Sequence, residues 1–156
     1  MSKSVYFVIF IVLFCGCMSE TKEVGIKGVV NPVTAGTQSR IVSGKGYELL
    51  LPAGYDVNRS YPLVVCLDPG ANGRGYVEYL RPLAEDGRWI IAGSTIYSNS
   101  VIITDFVPKV NASIEDIKVH YRVRADRVYL CGMSGGGMAT YVMSYFRPNY
   151  FAGIIV

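Results

Sequence analysis

One stretch of this chain decides its fold: Val128-Tyr129-Leu130-Cys131-Gly132-Met133-Ser134-Gly135-Gly136-Gly137-Met138-Ala139. Its first four residues form an apolar run of the kind found in buried strands, and a helical pattern follows the glycines. Between them lies a Gly-x-Ser-x-Gly pattern, which is typical of a serine on a sharp turn between a strand and a helix. Side chains two residues before and after that serine would collide in so tight a turn, which accounts for Gly132 and Gly136. The stretch therefore predicts a strand, an elbow at Ser134 and a helix.

Ser134 is the candidate nucleophile of the chain. On such a turn its hydroxyl is exposed beyond the end of the strand, in a strained backbone conformation. The amide of Gly135 is expected at the N-terminus of the next helix, pointing to where an oxyanion would form. A second oxyanion donor is expected from the loop after the first central strand, with the amide of Gly70 or Ala71 best placed. The alternative is a glycine-rich turn that only joins a strand to a helix, beside an ordinary surface loop.

Apolar runs and helical patterns alternate along the rest of the chain. The predicted strands are Leu63–Leu67, Trp89–Gly93, Arg127–Cys131 and Phe151–Val156, and the predicted helices span 76–85, 105–121 and 135–146. A hairpin is expected before them, with strands Arg40–Ser43 and Tyr47–Leu51. This alternation predicts an α/β fold, a mostly parallel sheet with flanking helices in which the hairpin forms an antiparallel edge.

Helical spacing also predicts which side chains face the sheet. In the 105–121 helix, Asp105 is expected to cap the start and one apolar stripe is expected to face inward. That stripe consists of Phe106, Val110, Ile114, Ile117 and Tyr121. The same spacing predicts inward-facing Tyr76, Tyr79, Leu80 and Leu83 in the first helix, and Met138, Tyr141, Val142 and Tyr145 in the last.

Composition narrows the class of protein. The 156 residues suit a single domain, and 51% apolar with 17% charged residues can fill a core. The net charge of +3 is spread along the chain, with no basic cluster interleaved with aromatic residues, so nucleic acid is not an expected partner. No Cys/His spacing indicates a metal site, and no cofactor is expected. Cys66 and Cys131 lie in apolar runs and are expected as free, buried thiols, because a disulfide between neighbouring parallel strands would be strained.

The N-terminal residues indicate a targeting segment. Lys3 precedes an apolar run, Val5 to Phe14, which is too short to span a membrane and is typical of a secretory signal. Gly16 directly before Cys17 resembles the lipobox of exported lipoproteins, in which that cysteine is acylated and becomes the mature N-terminus. We therefore expect a signal peptide and lipobox at 1–17, a tether at 18–38 and the folded domain at 39–156. An uncleaved anchor or a plain cleaved signal are the alternatives, and all three place the domain outside the cytoplasm.

Three segments together resemble a known family. They are Tyr47–Pro52, Leu63–Gly70 and Asp126–Ala139, and they are similar to the poly(3-hydroxybutyrate) depolymerase and feruloyl esterase branch of the α/β-hydrolases. Related exported predicted peptidases share the pattern. The resemblance implies a Ser–His–Asp triad in which Ser134 attacks an ester or amide carbonyl and forms an acyl-enzyme. Where that family's oxyanion loop often carries His-Gly, this chain has Asp68-Pro69-Gly70.

The base and the acid of such a triad are missing. In α/β-hydrolases both follow the serine, yet residues 135–156 contain no Asp, Glu or His. His120, the one histidine, is expected at the opposite end of the sheet, about 20 Å from Ser134 at about 3.3 Å per strand residue.

We therefore expect the N-terminal part of an exported serine hydrolase of carboxylic esters. Its sheet would be truncated after the strand that follows the nucleophile helix, as in a gene fragment, a frameshifted reading frame or a partial sequence. The alternatives are a non-catalytic surface lipoprotein that keeps the hydrolase half-fold for binding, and a serine peptidase of the same fold. The substrate, a small or a polymeric ester, is not specified by these residues, and the membrane is expected as a partner only through the N-terminal lipid or anchor.

Overall fold

The computed structural model describes residues 11–12, 40–86 and 88–156. Within these ranges the strands are β1 (Ile11–Val12), β2 (Arg40–Gly44), β3 (Tyr47–Leu51), β4 (Tyr61–Leu67), β5 (Ile90–Ser94), β6 (Val123–Gly132) and β7 (Gly153–Ile155). The helices of the same ranges are α1 (Gly73–Tyr79), α2 (Arg81–Glu85), α3 (Ile103–His120) and α4 (Gly135–Phe146).

The described strands form one sheet in the order β1-β7-β6-β4-β5-β3-β2. Strands β5, β4, β6 and β7 are parallel, while β2 and β3 form an antiparallel hairpin at one edge. This confirms the predicted mostly parallel sheet with an antiparallel edge. Two strands begin earlier than predicted, β4 at Tyr61 and β6 at Val123.

The predicted signal peptide and tether fall largely outside the described residues, and so does Cys17. Only Ile11 and Val12 of the apolar N-terminal run are described, and they pair antiparallel with Ile155 and Ile154 of β7.

The sheet is covered by helices on both faces, because its central strands are apolar on both sides. Along β4, Leu63, Val65 and Leu67 face one core, which α3 and α4 complete. Val64 and Cys66 face the other core, which lies under α1 and α2. Strands β4, β5 and β6 are parallel neighbours, so their carboxyl ends lie at the same end of the sheet. The candidate site lies at that carboxyl end.

Helix α3 confirms the predicted apolar stripe for four of its five residues. Phe106, Val110, Ile114 and Ile117 are all buried against the sheet, whereas Tyr121 follows the end of the helix and is half-buried. The predicted cap is wrong, since the helix begins two residues before Asp105 and its N-cap is Ile102. Asp105 instead lies in the first turn, where its charge suits the helix dipole.

The predicted helix 76–85 is in fact two short helices that meet at Leu80. Pro82 has no N–H to donate to the carbonyl four residues earlier, and its ring crowds that turn, which disfavours one continuous helix here. The buried residues are Val77 and Ala84, whereas Tyr79 and Leu83 are exposed. The predicted inward face is therefore wrong for Tyr79 and Leu83, whereas Tyr76 and Leu80 pack on the core as predicted.

Helix α4 has the predicted bounds, 135–146, but of the four side chains predicted to face inward only Val142 packs on the core. Met138 and Tyr145 are 72% and 80% exposed, and Tyr141 is exposed as well. The residues that pack on the sheet are mostly small: Gly136, Gly137, Ala139, Thr140 and Met143. The first turn of the helix lies so close to the sheet that its glycines leave no room for a side chain, and the large Met138, Tyr141 and Tyr145 point outward.

An ionic network joins α3 to the segment after α4. The Glu115 carboxylate accepts hydrogen bonds from Arg147 at 2.9 Å and from the Tyr150 hydroxyl at 2.8 Å, and Lys118 Nζ lies 3.1 Å from its other oxygen. Burial opposes the charge on Glu115, but the hydrogen bonds from Tyr150, Arg147 and Lys118 outweigh it and lower its pKa. The Arg147 guanidinium also lies 3.4 Å from the centre of the Tyr150 ring.

We expect Glu115→Gln to lower the free energy of unfolding at pH 7 by about 1 kcal/mol, a figure that allows for the half-exposed carboxylate. Because the folded-state pKa of Glu115 is lowered, its contribution is present above the ordinary glutamate pKa of about 4.3 and is lost as the pH falls through the folded-state pKa. Urea unfolding from pH 7 to pH 3 should show the two proteins converging in acid.

Glu78→Gln is the matched control, because the ion-pair partners of Glu78 among the described residues are Arg74 and Arg81, on α1 and α2. At pH 7 this control should lower the free energy of unfolding by less than Glu115→Gln does. Equal losses in the two variants, or a difference that does not shrink in acid, would contradict the role given to the network.

Candidate active site

Ser134 lies on the sharp turn that the sequence predicts between β6 and α4. Its backbone has φ 56° and ψ −125°, outside the regions that L-residues ordinarily adopt. Such a conformation costs roughly 1–3 kcal/mol and persists only where the surroundings hold it. The residue is exposed, and within the described residues no side chain hydrogen-bonds to its hydroxyl.

Two glycines permit this turn because backbone atoms lie where a Cβ would be. A Cβ on Gly132 would overlap the carbonyl of Gly136, so the end of β6 touches the first turn of α4. A Cβ on Gly136 would overlap the carbonyl oxygen of Leu67, at the end of β4. The elbow therefore packs against the ends of β4 and β6, and only glycine fits at positions 132 and 136.

Gly135 begins α4 and carries the predicted oxyanion donor. Its amide has no hydrogen-bond acceptor among the described residues, whereas the amide of Gly136 donates to Met133. The Gly135 N–H lies at the N-terminus of a 12-residue helix, where the helix dipole favours negative charge. An exposed serine hydroxyl and an unengaged amide thus lie on adjacent residues.

The loop after β4 reaches the same edge, but its amides are occupied. Gly70 N–H donates to the Asp68 carboxylate at 2.7 Å, and Ala71 N–H donates to the Asp68 carbonyl at 3.1 Å. Asn72 N–H also donates to that carboxylate, at 3.0 Å, and its side chain caps α1. Either amide would have to leave its present acceptor to bind an oxyanion, so the second donor stays a prediction.

The loop after β5 contributes two residues that the sequence pattern did not reveal. The Tyr97 hydroxyl lies 2.8 Å from the Gly135 carbonyl oxygen and 3.1 Å from Asn99 Oδ1. The Asn99 amide lies against Gly135, where a Cβ would overlap it. Burial raises the pKa of Tyr97. The signal that could have found them is position alone, because polar residues after parallel strands converge at the carboxyl edge of an α/β sheet.

His120 lies where the sequence predicts, at the C-terminal end of α3. Its Nδ1 is 2.8 Å from the carbonyl oxygen of Asp116 and 3.4 Å from that residue's carboxylate. The helix runs antiparallel to the strands, so its C-terminal end lies where the parallel strands begin. Ser134 lies at the other end of the sheet, where those strands finish. His120 therefore does not serve as a base for Ser134 in this structure.

A shallow cavity of about 500 Å³ lies away from Ser134. It is lined by Leu83, Asp86, Arg88 and Trp89, at the amino end of β5. It is not part of the candidate site, because Ser134 follows the carboxyl end of the neighbouring parallel strands.

Solved structures share this arrangement of strands and helices. A feruloyl esterase module from Clostridium thermocellum, in a mutant form complexed with sinapinate, has a TM-score of 0.60 at 16% identity, over 81% of this chain and 56% of its own. A ferulic acid esterase from Anaeromyces mucronatus, in complex with ferulic acid, has a TM-score of 0.55 at 18% identity, over 84% of this chain and 58% of its own. An acetyl xylan esterase from Aspergillus awamori has a TM-score of 0.59 at 19% identity, over 75% and 50%.

The fold is that of the α/β-hydrolases. The predicted fold class is thereby confirmed. No family model and no curated protein sequence matches the chain. The chain spans 39% to 58% of the length of the esterases that it matches.

Two features are absent from the described residues. No group of three or more His, Cys, Asp or Glu side chains in those residues is arranged to hold a metal ion. No helix in the same part of the chain has both the length and the hydropathy of a membrane span.

We expect Gly136→Ala to lower the free energy of unfolding by at least about 2 kcal/mol, because the Leu67 carbonyl cannot move without shifting β4. Gly135→Ala is the matched control on the adjacent residue, since its Cβ meets only the movable Asn99 side chain. Urea unfolding followed by circular dichroism measures both. Equal losses would show that the distance between α4 and β4 is not the limiting constraint.

Proposed function

We propose that this chain carries the nucleophile of a serine hydrolase that cleaves carboxylic esters through an acyl-enzyme on Ser134. The observation that carries the proposal is the Ser134 elbow itself, a serine with positive φ followed by an unengaged amide at a helix N-terminus. Neither feature is needed merely to connect a strand to a helix, and the strain at Ser134 is of the kind that persists at functional sites.

The proposed reaction uses these two groups in sequence. Ser134 Oγ attacks the ester carbonyl carbon, and the oxyanion that develops accepts a hydrogen bond from Gly135 N–H. Collapse of the tetrahedral intermediate breaks the bond to the alcohol and leaves an acyl-serine, which water then hydrolyses. A base must take the proton of the serine hydroxyl and return it to the leaving alcohol.

We further propose that the base and its acidic partner come from polypeptide outside these 156 residues. Residues 135–156 contain no Asp, Glu or His, and His120 lies at the opposite edge of the sheet. The aligned residues make up only 58% and 50% of the matched ferulic acid and acetyl xylan esterases, which supports a further part of the fold that carries those groups.

The proposed substrates are carboxylic esters, small or polymeric. Support comes from the sequence resemblance to feruloyl esterases and from solved neighbours described as ferulic acid and acetyl xylan esterases. A peptidase is a second candidate, since a putative dipeptidyl aminopeptidase IV from Bacteroides ovatus and an isopeptidase also share the fold. A non-catalytic binding role is a third, favoured by the lack of a base beside Ser134.

We expect a fluorophosphonate probe to label the purified full chain at Ser134 slowly, and about tenfold faster or more when imidazole is added. General-base assistance is worth roughly 10²–10⁴-fold, and imidazole can supply it to a serine as exposed as Ser134. Peptide mapping by mass spectrometry identifies the labelled residue, and hydrolysis of an aryl acetate gives a second readout of the same serine.

Two variants control the labelling experiment. Ser134→Ala should abolish labelling, and His120→Ala should leave its rate unchanged. No label on Ser134 even with imidazole would refute the nucleophile and favour the binding role. Labelling that depends on His120 would contradict the separation of the two residues.

We also propose that the domain is exported and anchored by a lipid on Cys17. The support is the sequence of residues 1–17, in which a lysine and an apolar run precede Gly16-Cys17. Cleavage before Cys17 would remove Ile11 and Val12, and with them the strand β1 beside β7. Mature protein would then expose β7 as an edge strand.

In a bacterial host that processes lipoproteins, we expect an alkyne-tagged fatty acid to be incorporated into the full chain and to be lost in Cys17→Ser. Cys15→Ser is the matched control, since it removes a cysteine two residues away and should keep the lipid. Retention of the tag in Cys17→Ser, or no tag in the parent chain, would overturn the lipid anchor.

A further inference from the structure

Two cysteines that take no part in the proposed reaction lie side by side in the sheet. Cys66 on β4 and Cys131 on β6 are in register in the parallel pair, so their side chains project on the same face. Both belong to the core under α1 and α2, where Cys66 is fully buried and Cys131 is partly exposed. Both are free thiols in this structure.

The two thiols act on each other, and the interaction makes them unlike. The neighbouring Cys131 and burial both raise the pKa of Cys66 well above its ordinary value. The neighbouring Cys66 lowers the pKa of Cys131, although burial opposes the effect. The more acidic thiol is thus the one that solvent reaches, and its neighbour is a thiol that stays protonated.

The backbone allows a bond between the two sulfurs. Neighbouring strands lie about 4.8 Å apart, and disulfides join Cα atoms separated by about 4.4–6.8 Å. A bridge across parallel strands stores strain, and a strained disulfide is easily reduced again. The pair therefore has the geometry of a reversible bridge rather than of a permanent structural one.

We propose that Cys66 and Cys131 form an oxidisable dithiol, which a peroxide converts to a disulfide and a thiol reductant restores. The Cys131 thiolate attacks one peroxide oxygen, so that an S–O bond forms, the O–O bond breaks and hydroxide leaves. The Cys66 sulfur then attacks the sulfenic sulfur, so that the S–S bond forms, the S–O bond breaks and the Cys66 proton leaves with the hydroxyl as water. Cys131 is the residue that reacts with oxidant, and Cys66 is the residue that resolves the sulfenic acid.

The dithiol lies directly beneath the elbow. Cys131 precedes Gly132 at the start of the turn, and Cys66 precedes Leu67, whose carbonyl packs against Gly136. Tyr76 lies beside both thiols, and its pKa is raised to about 12 by burial and by these neighbours. The Met133 backbone acts on the Tyr76 hydroxyl in the opposite direction and lowers its pKa, so the elbow and the dithiol share one neighbouring side chain.

The test uses the full chain, reduced, freed of reductant and treated with hydrogen peroxide, then blocked with a maleimide and digested with trypsin. We expect a linked pair of peptides, 60–74 with 128–156, that lacks two hydrogen atoms and separates on reduction. This readout distinguishes the pair from Cys15 and Cys17, which lie in other peptides. Absence of the linked peptide after peroxide treatment overturns the proposal.

The order of the two steps is tested with two variants of the same pair. Cys66→Ser should stop at a sulfenic acid on Cys131, which dimedone traps. Cys131→Ser should leave Cys66 at least about tenfold slower to react with peroxide, because a buried thiol with a raised pKa is a poor nucleophile. Dimedone adducts on Cys66 in Cys131→Ser, formed as fast as those on Cys131 in Cys66→Ser, would refute the assigned roles.

Ser134→Ala separates this proposal from the proposed function. The linked peptide should form in that variant as it does in the parent chain, because Ser134 has no part in the thiol chemistry. The disulfide and the ester chemistry can therefore fail independently of each other. Circular dichroism of each cysteine variant confirms that the measured rates belong to folded protein.

Discussion

The approach of helix α4 to the end of β4 is the constraint on which the rest of the structure depends. Gly136 packs against the Leu67 carbonyl and Gly132 packs against Gly136, so β4, β6 and α4 meet with no side chain between them. Ser134 is held in its strained conformation by this packing. The same approach selects the small residues that α4 presents to the sheet, and it pushes the large ones outward.

Much of the fold could be predicted because local patterns and tertiary packing agree in it. The apolar runs of β4, β5 and β6 are flanked by turn residues, and the stripe on α3 is regular over about three turns. Hydrophobic spacing failed on α4, since it treats Met138 and Tyr145 as better core residues than Gly137 or Ala139. Where the first turn of α4 meets β4, the small size of the side chains decides which face is buried. The sequence does not show this restriction, because it depends on where β4 lies.

Part of the candidate site could be predicted from the sequence, and part could not. Ser134, Gly135 and the two flanking glycines form a contiguous motif, so a sequence pattern can identify them. Asn99 and Tyr97 reach Gly135 from a loop more than thirty residues away, and nothing in the local sequence distinguishes them from other loop residues. The sequence also could not predict that the amides of Gly70 and Ala71 already have hydrogen-bond acceptors. Those bonds depend on how the Asp68 carboxylate and carbonyl turn back onto their own loop.

The position of the dithiol follows from the constraint at the elbow. The residues that bring β4 and β6 into register so that Leu67 meets the elbow also place Cys66 opposite Cys131, one step back along each strand. A bridge there would act on the backbone that sets the distance between Leu67 and Gly136. Cys66 and Cys131 each lie one residue before the strand end that packs at the elbow, Leu67 on β4 and Gly132 on β6. The same register of β4 and β6 therefore fixes the position of the dithiol and the position of the nucleophile.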